Sequence, residues 1–237
     1  MDLISGYSTM TPGIELAENY YKWIFRTIRP FIAGRVLEIG AGYGNIAGYA
    51  ADGGFEYIGV DSDAAVVEKL TARFRGRANV KVYDAADRGG IALETEKGID
   101  TVISMNVLEH AEDDGGHVKL AAGLMKKGRL ILFVPAMEIL YGSMDRQAGH
   151  YRRYSKTRIK KIMESNSLNI VKLTYFNSLG ALGWFVSCRL LKIGLNSVSA
   201  GKLALFYDRA VVPFARLLDP ALRPFFGQSL ICVAEKK

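Results

Sequence analysis

The sequence predicts an α/β fold in which a mostly parallel sheet is covered by helices on both faces. Short apolar runs alternate along the chain with stretches whose apolar residues recur at helical spacing. Each short run is apolar at nearly every position, which is typical of strands buried on both faces of a parallel sheet. At 237 residues the chain is long enough for one full hydrophobic core. We therefore expect a single domain over residues 1–237.

Seven of the apolar runs predict strands, over residues 36–39, 57–61, 80–83, 99–105, 129–135, 168–176 and 229–234. Helices are predicted over 11–28, with Pro12 at the first helical position, over 66–74, over 118–125, and after Ser155 as the capping residue. The stretch 178–226 predicts one or two amphipathic helices, inserted before the last strand. The domain is thus expected to comprise a helical cover (1–32), a ligand-binding core (33–136) and a second part (137–237) with a lid, the helical insertion and the final strand.

The first predicted strand ends in a turn that carries glycines at alternate positions, Gly40, Gly42 and Gly44. Glycine accepts positive φ and lets a ligand approach the main chain, so a turn of this kind presents backbone N–H groups to a ligand. The dinucleotide-binding turn requires G-x-G-x-x-G, and Asn45 occupies its third glycine position. Glu38 lies inside the apolar run, where an ionised carboxylate needs a partner.

A second acid, Asp61, ends the next predicted strand. Nucleotide-binding units place an acid on the ribose hydroxyls about 20 residues after the glycine turn. A carboxylate can accept hydrogen bonds from both hydroxyls of a ribose. The alternative interpretation is that Asp61, with Ser62 and Asp63 beside it, caps the helix that follows.

The E-x-G-x-G-x-G pattern of residues 38–44, followed by Asp61, resembles the first motifs of the class I S-adenosylmethionine-dependent methyltransferases. The resemblance covers residues 33–136 well and the final strand reasonably. It implies a Rossmann-like, doubly wound, seven-stranded sheet, with S-adenosylmethionine as cofactor and S-adenosylhomocysteine as product. In this family an acid just past the third strand binds the adenine amino group, which indicates Asp84, with Asp87 as a competitor. The residues assigned to the cofactor are Glu38, Gly40, Ala41, Gly42, Gly44, Asp61, Ser62, Asp84, Ala85 and Asn106.

Two histidines are predicted near the reacting atoms. Residues 106–110 resemble the aliphatic-Glu-His turn after strand four in small-molecule methyltransferases, which places His110 near the cofactor or acceptor; a structural histidine is the alternative. His150 belongs to a D-x-x-x-G-H-x-R-R-Y run that resembles methyltransferases of bacterial glycan and lipid-linked saccharide assembly. A hydroxyl acceptor needs a base, and imidazole titrates near neutrality. We therefore predict His150 or His110 as base, with Asp145 as an alternative base or as the residue that orients a histidine.

The irregular stretch 137–154 predicts a lid that orders when cofactor and acceptor are both bound. The residues predicted to bind the acceptor are Tyr151, Arg152, Arg153 and Tyr154. Guanidinium groups suit a phosphate or a uronate, and the tyrosine rings offer flat faces to a sugar or an isoprenoid.

Composition limits the remaining possibilities. The formal net charge is +7, but no RNA-binding motif accompanies it, so a nucleic-acid partner is not expected. No signal peptide and no apolar run of spanning length are found, which predicts a soluble, cytoplasmic protein. The stretch 178–226 is apolar with scattered Arg and Lys residues, and three roles remain open for it. It could cover the acceptor site, make peripheral contact with the cytoplasmic face of a membrane, or form a homodimer contact. Cys188 and Cys232 are expected to be reduced core residues, and no metal site is predicted.

The predicted function is methylation of a hydroxyl on a saccharide or lipid-linked glycan, by in-line transfer from S-adenosylmethionine with a histidine base. A small-molecule acceptor of another kind, such as a quinone or a polyketide, is the first alternative. A cofactor-binding subunit without catalysis is the second. A nicotinamide-dependent oxidoreductase is disfavoured because Asn45 breaks the dinucleotide pattern.

Overall fold

The computed structural model describes residues 16–193 and 198–236. Seven strands form one sheet in the order β3-β2-β1-β4-β5-β7-β6. Their bounds are β1 Arg35–Ile39, β2 Glu56–Asp61, β3 Val80–Asp84, β4 Thr101–Met105, β5 Gly128–Pro135, β6 Asn169–Phe176 and β7 Ser229–Lys236. Strands β1 to β5 pair in parallel, whereas β7 runs antiparallel to both β5 and β6. The predicted mostly parallel, seven-stranded sheet is confirmed.

Helices cover both faces of this sheet. They are α1 Glu18–Ile28, α2 Asn45–Asp52, α3 Ala64–Arg73, α4 Arg88–Glu96, α5 Asp114–Gly123, α6 Ser143–Gln147, α7 Lys156–Ser165, α8 Ser178–Trp184, α9 Val198–Phe206 and α10 Val212–Leu222. Single 3₁₀ turns occur at Arg29–Phe31, Leu108–His110 and Glu138–Leu140. The predicted start of the first helix at residue 11 lies outside the described residues, within which α1 begins at Glu18.

Alternate residues of each central strand enter two separate hydrophobic clusters. Leu37 of β1 and Val102 of β4 pack into one cluster, while their neighbours Val36 and Ile103 pack into the other. All four side chains are fully buried. Complete burial of such a side chain contributes about 1.5–3 kcal/mol, so each strand is stabilised from both faces. This explains why the strands are apolar at consecutive positions.

Short polar side chains fix where three helices begin. Asp63 caps α3, accepting from the Ala65 N–H at 2.9 Å, and Asp87 caps α4, accepting from the Gly90 N–H at 2.9 Å. Ser155 caps α7 as predicted and accepts from the Arg158 N–H at 3.1 Å. The helix after Asp61 is capped by Asp63, so Asp61 does not have the capping role that was its alternative interpretation.

The described part of the insertion between β6 and β7 contains three helices rather than one or two. Helix α8 continues into a π-helical turn at Phe185–Leu190, and a second π-helical turn at Tyr207–Val211 joins α9 to α10. Buried Asp208 fastens the insertion to α1 by accepting from the Tyr20 N–H at 2.8 Å. Within residues 16–193 and 198–236, no helix combines the length and apolarity that crossing a bilayer requires.

Candidate functional site

The glycine turn lies at the carboxyl end of β1. Gly40, Gly42 and Gly44 have φ angles of +72°, +51° and +73°, a region that side chains with a Cβ rarely occupy. A Cβ atom on Gly40 would also overlap the side chain of Val107, which follows β4. Helix α2 begins directly after the turn, at Asn45. The turn therefore keeps its backbone bare at the head of a helix, the arrangement that the sequence pattern predicts.

Asp61, at the end of β2, faces this turn. Its carboxylate accepts from the Gly42 N–H at 3.0 Å and from the Asp63 N–H at 3.1 Å, and the residue is 7 % exposed. One acid therefore holds the middle of the turn while its remaining lone pairs stay available for hydroxyl donors. Ser62 beside it is exposed.

Glu38 lies beneath the turn, buried inside the sheet. Its carboxyl accepts a hydrogen bond from the phenol of Tyr57 on the neighbouring strand. Burial, with a smaller contribution from the nearby charge of Asp61, raises the pKa of the Glu38 carboxyl to about 8. The structure thus gives Glu38 the partner that its position demands, and that partner is the Tyr57 phenol.

The other residues assigned to the cofactor lie along the same edge of the sheet. Asp84 ends β3 directly beside Asp61 in the strand register, and Ala85 donates its N–H to the Asp61 carbonyl at 2.8 Å. Asp84 accepts from the Ala86 N–H at 2.7 Å and Asp87 accepts from the Gly90 N–H at 2.9 Å, so the choice between these two acids stays a prediction. Asn106, exposed after β4, has a φ angle of +52°. The glycine turn, with its exposed backbone, and the acids at the ends of β2 and β3 together suit a ligand made of a nucleoside and an attached amino acid.

A second group of polar side chains lies a few residues beyond Asn106. Glu109 and His110 come from the 3₁₀ turn after β4, and His150 comes from the segment after α6. The backbone joins the two segments, because the Tyr151 N–H donates to the Glu109 carbonyl at 2.9 Å. The His110 and His150 rings meet edge to face, with centroids 4.8 Å apart. We call this group the Glu109–His110–His150 cluster.

Burial shapes the ionisation of the cluster. It raises the pKa of Glu109, which is 0 % exposed, to about 7. Burial, followed by the proximity of His150, lowers the pKa of His110 to about 4, so His110 is neutral at physiological pH. The cluster therefore presents neutral imidazole and a carboxyl group that titrates near neutrality.

Asp145 is completely enclosed and orients His150. His150 Nδ1 lies 2.9 Å from Asp145 Oδ1, and Arg153 Nε donates to the same oxygen at 2.9 Å. The other oxygen accepts from the Gly142 N–H at 2.9 Å and from Trp184 Nε1 at 3.4 Å. Burial opposes its ionisation, but the hydrogen bonds from His150 and Arg153 prevail and lower the pKa of Asp145. A carboxylate with four donors is not placed to act as the alternative base.

Two of the four predicted acceptor-binding residues are structural, which corrects the sequence interpretation. Arg153 is buried and donates to Asp145 and to the Ala136 carbonyl. Tyr154 is 0 % exposed, and its hydroxyl donates to the Leu108 carbonyl at 2.9 Å. Neither has a face left for a ligand. Tyr151 remains exposed, and the Arg152 guanidinium lies over its ring while donating to the Ala111 and Glu112 carbonyls at 2.8 and 3.0 Å.

Sequence reasoning missed two contributors to the site. Glu109 was seen only as part of a turn pattern, although an acid within an apolar stretch is a signal of a buried functional group. Trp184 offers no comparable signal, because its contact with Asp145 spans 39 residues of chain. It also borders an apolar cavity of about 180 Å³, together with Tyr20, Met144, Cys188 and Tyr207. Burial raises the pKa of the Cys188 thiol to about 12, and both cysteines are unpaired.

Known proteins share this architecture. A family profile described as a methyltransferase domain matches residues 17–173, more than half of the chain. In solved structures, a SAM-dependent methyltransferase from Archaeoglobus fulgidus superimposes with a TM-score of 0.57 at 19 % identity, covering 92 % of this chain and 94 % of that one. Magnesium protoporphyrin IX methyltransferase from Synechocystis, with bound S-adenosylhomocysteine, gives a TM-score of 0.53 at 18 % identity, covering 94 % and 83 %.

Curated relatives match a shorter stretch. Ubiquinone biosynthesis O-methyltransferase of Bordetella parapertussis is 34 % identical over 113 residues, which is 47 % of this chain and 46 % of the relative. The protein of the same name from Paracidovorax citrulli is 31 % identical over 108 residues, 45 % of each chain. The aligned region thus spans about half the length of the curated relatives. With the glycine turn and the strand-end acids in place, the family profile settles the matter: the chain belongs to the methyltransferase-domain family, among the class I S-adenosylmethionine-dependent methyltransferases.

Proposed function

We propose that the chain transfers the methyl group of S-adenosylmethionine to a hydroxyl oxygen of a small acceptor that has an apolar part. The observation that carries the proposal is a juxtaposition at one edge of the sheet. The glycine turn and Asp61 would hold the methyl donor, and the Glu109–His110–His150 cluster lies just beyond Asn106 at the same edge. Val107, between Asn106 and the cluster, lies against Gly40, which supports a site where the proton-accepting groups would adjoin the bound methyl donor.

The chain's own groups would bind and position the reactants. Asp61 would accept hydrogen bonds from the ribose hydroxyls, and Asp84 would accept from the adenine amino group. When bound, the cofactor supplies a methyl group that is already activated by a sulfonium. In-line transfer would form the bond between the acceptor oxygen and the methyl carbon as the carbon–sulfur bond breaks, so the residues that align the two reactants would supply much of the rate enhancement.

The hydrogen bond to Asp145 supports His150 as the residue that would activate the acceptor hydroxyl. Because Asp145 accepts from Nδ1, the lone pair of the imidazole is directed to Nε2. This nitrogen faces the cluster and would receive the hydroxyl proton as the oxygen attacks. His110, whose pKa is lowered by burial, supports the site as a neutral ring.

Two acceptor classes fit the surroundings. The apolar cavity beside Trp184 and the exposed Tyr151 suit a lipid-linked saccharide, whose hydrocarbon and sugar parts need different surfaces. The names of the curated relatives favour a ubiquinone precursor, which also combines a hydroxyl with an apolar chain. The lipid-linked saccharide and the ubiquinone precursor thus share the feature that the proposal requires, which is a hydroxyl group on a molecule with an apolar part.

Contact with a membrane surface would bring such an acceptor to the site. The insertion exposes large apolar side chains, namely Leu182, Val186, Leu190, Leu191, Leu203, Phe206, Phe214, Leu217, Leu218 and Phe225. Both acids of this stretch, Asp208 and Asp219, are buried, whereas Arg189, Lys202 and Arg216 are exposed. An apolar surface with cations and without exposed acids suits an anionic bilayer.

Vesicle sedimentation tests the membrane contact. The protein should bind vesicles containing phosphatidylglycerol more strongly than vesicles of phosphatidylcholine alone, and Leu217→Glu should weaken that binding. Leu120→Glu is the matched control, since Leu120 is also exposed, on α5, away from the insertion. Dimerisation without vesicle binding would instead assign the insertion to a subunit contact.

The catalytic proposal is tested with purified protein, labelled S-adenosylmethionine and two acceptors, a polyprenyl-linked saccharide and a polyprenyl-substituted phenol. Mass spectrometry of the products identifies the methylated class. His150→Ala should lower kcat by about 10²–10⁴-fold while leaving the affinity for S-adenosylhomocysteine unchanged. Full turnover in that variant would remove His150 from its role, and absence of S-adenosylhomocysteine binding by the unmodified chain would overturn the proposal as a whole.

A further inference from the structure

The Glu109–His110–His150 cluster brings together three side chains that can each offer a lone pair. One nitrogen or oxygen atom from each residue lies within 4.8 Å of those from the other two. Glu109 is completely buried and the two histidines are partly buried. His110 and His150 are separated by 40 positions in the chain, so the spacing of residues in the sequence does not predict that these three side chains meet.

The carboxylate of Glu109 lacks the donors that a buried acid requires. Both of its oxygens are inaccessible, and no described residue donates a hydrogen bond to either of them. The nearest ring nitrogen, His150 Nε2, lies 3.9 Å from Oε1, which is beyond hydrogen-bonding distance. An unpaired buried carboxylate is strongly unfavourable, so this geometry indicates a partner of positive charge.

The orientation of His150 completes the set. Asp145 accepts from Nδ1 at 2.9 Å and is itself held by Arg153, so the proton of the neutral ring belongs on Nδ1. The lone pair on Nε2 then points toward Glu109. Imidazole whose second nitrogen donates to a carboxylate is the usual arrangement of a metal-binding histidine.

We propose that Glu109, His110 and His150 bind a divalent transition-metal cation of the Zn²⁺ class. Two imidazoles and one carboxylate are the ligands that zinc prefers at sites that keep a position open for water or substrate. Ligand atoms about 2.0–2.2 Å from such a cation are separated by roughly 3–4 Å from one another, which small side-chain rotations reach from the observed spacing.

The cation would replace His150 as the group that activates the acceptor hydroxyl in the proposed function, on which this consequence rests. Bound to the open position, the acceptor hydroxyl would have a lowered pKa and would release its proton to water. Nε2 would then hold the cation, and the oxygen would attack the methyl carbon as described. Asp145 becomes a positioning residue that fixes the metal-binding tautomer of His150.

Metal binding is measured directly, without cofactor or acceptor. The full chain, carrying no histidine tag, is stripped with a chelator and titrated with Co²⁺ and with Zn²⁺, following the visible absorption of Co²⁺ and the heat of binding. We expect one cation per chain, and at least tenfold weaker binding in both Glu109→Gln and His110→Ala. His117→Gln, which changes the one histidine outside the cluster, should bind as the unmodified chain does.

Circular dichroism and S-adenosylhomocysteine binding establish that each variant is folded. If Glu109→Gln does not fold, His110→Ala provides the test. Failure of the unmodified chain to bind Co²⁺ or Zn²⁺ at one per chain would overturn the metal site, as would equal affinities in the cluster variants and the His117→Gln control. Because cofactor binding is measured separately, that outcome would leave the proposed methyl transfer standing.

Discussion

Replacing Glu38 by glutamine should change how the stability of the protein depends on pH. Glu38 is buried, its carboxyl is bonded to the Tyr57 phenol, and burial raises its pKa to about 8. In the unfolded chain the same carboxyl has its ordinary pKa near 4.3–4.5. As the pH rises between these two values, the unfolded chain gives up this proton and the folded chain keeps it. The stability that the Glu38 carboxyl contributes is therefore fully present below its unfolded pKa of about 4.3–4.5. This contribution is lost as the pH rises to the folded pKa of about 8.

The size of the effect follows from the difference between the two pKa values. One pKa unit corresponds to about 1.36 kcal/mol, so the loss between pH 5 and pH 8.5 amounts to about 4 kcal/mol. Glutamine keeps the shape of the side chain and an oxygen that accepts from Tyr57, yet does not titrate. The free energy of unfolding of Glu38→Gln, relative to that of the unmodified chain, should rise by about this amount over the same pH interval.

Urea unfolding at pH 5.0, 6.5 and 8.5 measures the difference between the two proteins. Glu164→Gln, the same substitution at an exposed position of α7, is the control for the general effect of removing one carboxylate. A stability difference that is constant from pH 5.0 to 8.5 would refute the reasoning, because Glu38 would then ionise equally in the folded and unfolded chains.

Three further predictions concern the two halves of the site. Asp61→Ala should weaken the binding of S-adenosylhomocysteine by about 10- to 150-fold, the range for charge-assisted hydrogen bonds, and calorimetry that shows unchanged affinity would remove Asp61 from the role. Glu68→Ala, exposed on α3, is its control. Hydrogen exchange over residues 137–154 should slow when cofactor and acceptor are added; equal protection would rule out a lid. Arg153→Met leaves Asp145 without its buried cation and should cost about 3–5 kcal/mol of unfolding free energy, so a stability within 1 kcal/mol of the original would contradict the buried pair.

Much of the fold could be predicted because its signals are local. Each strand is apolar at successive positions because both faces of the sheet are covered, so every predicted strand is found with ends shifted by at most two residues. The glycine turn and Asp61 could also be predicted from the sequence, because the turn and the acid that accepts from the Gly42 N–H lie in one β-α-β unit. Helix α4 was missed because its sequence, with Gly89 and Gly90 in the first turn, lacks a clear apolar stripe. Helix α5 ends at Gly123, earlier than the Lys and Gly residues of 126–128 indicate.

The acceptor side was predicted less well because its side chains depend on distant partners. Arg153 and Tyr154 look like surface recognition residues in sequence, yet one is paired with buried Asp145 and the other reaches back to the Leu108 carbonyl. Their polar groups are satisfied inside the protein by elements that sequence spacing does not link. The same holds for Glu109 and His150, which become neighbours only when the turn after β4 meets the segment after α6.

The position of β7 between β5 and β6 has a consequence for how such a protein can diversify. The chain leaves the sheet after Phe176 of β6 and returns at Ser229 of β7, and these two residues face each other across neighbouring strands. The Gln228 N–H donates to the Asn177 carbonyl at 3.1 Å, so the excursion begins and ends at one point. Doubling the length of a loop costs only about 0.6 kcal/mol in closure entropy. Residues 178–227 can thus be lengthened, shortened or exchanged for another segment during evolution, while the strands of the sheet keep their register.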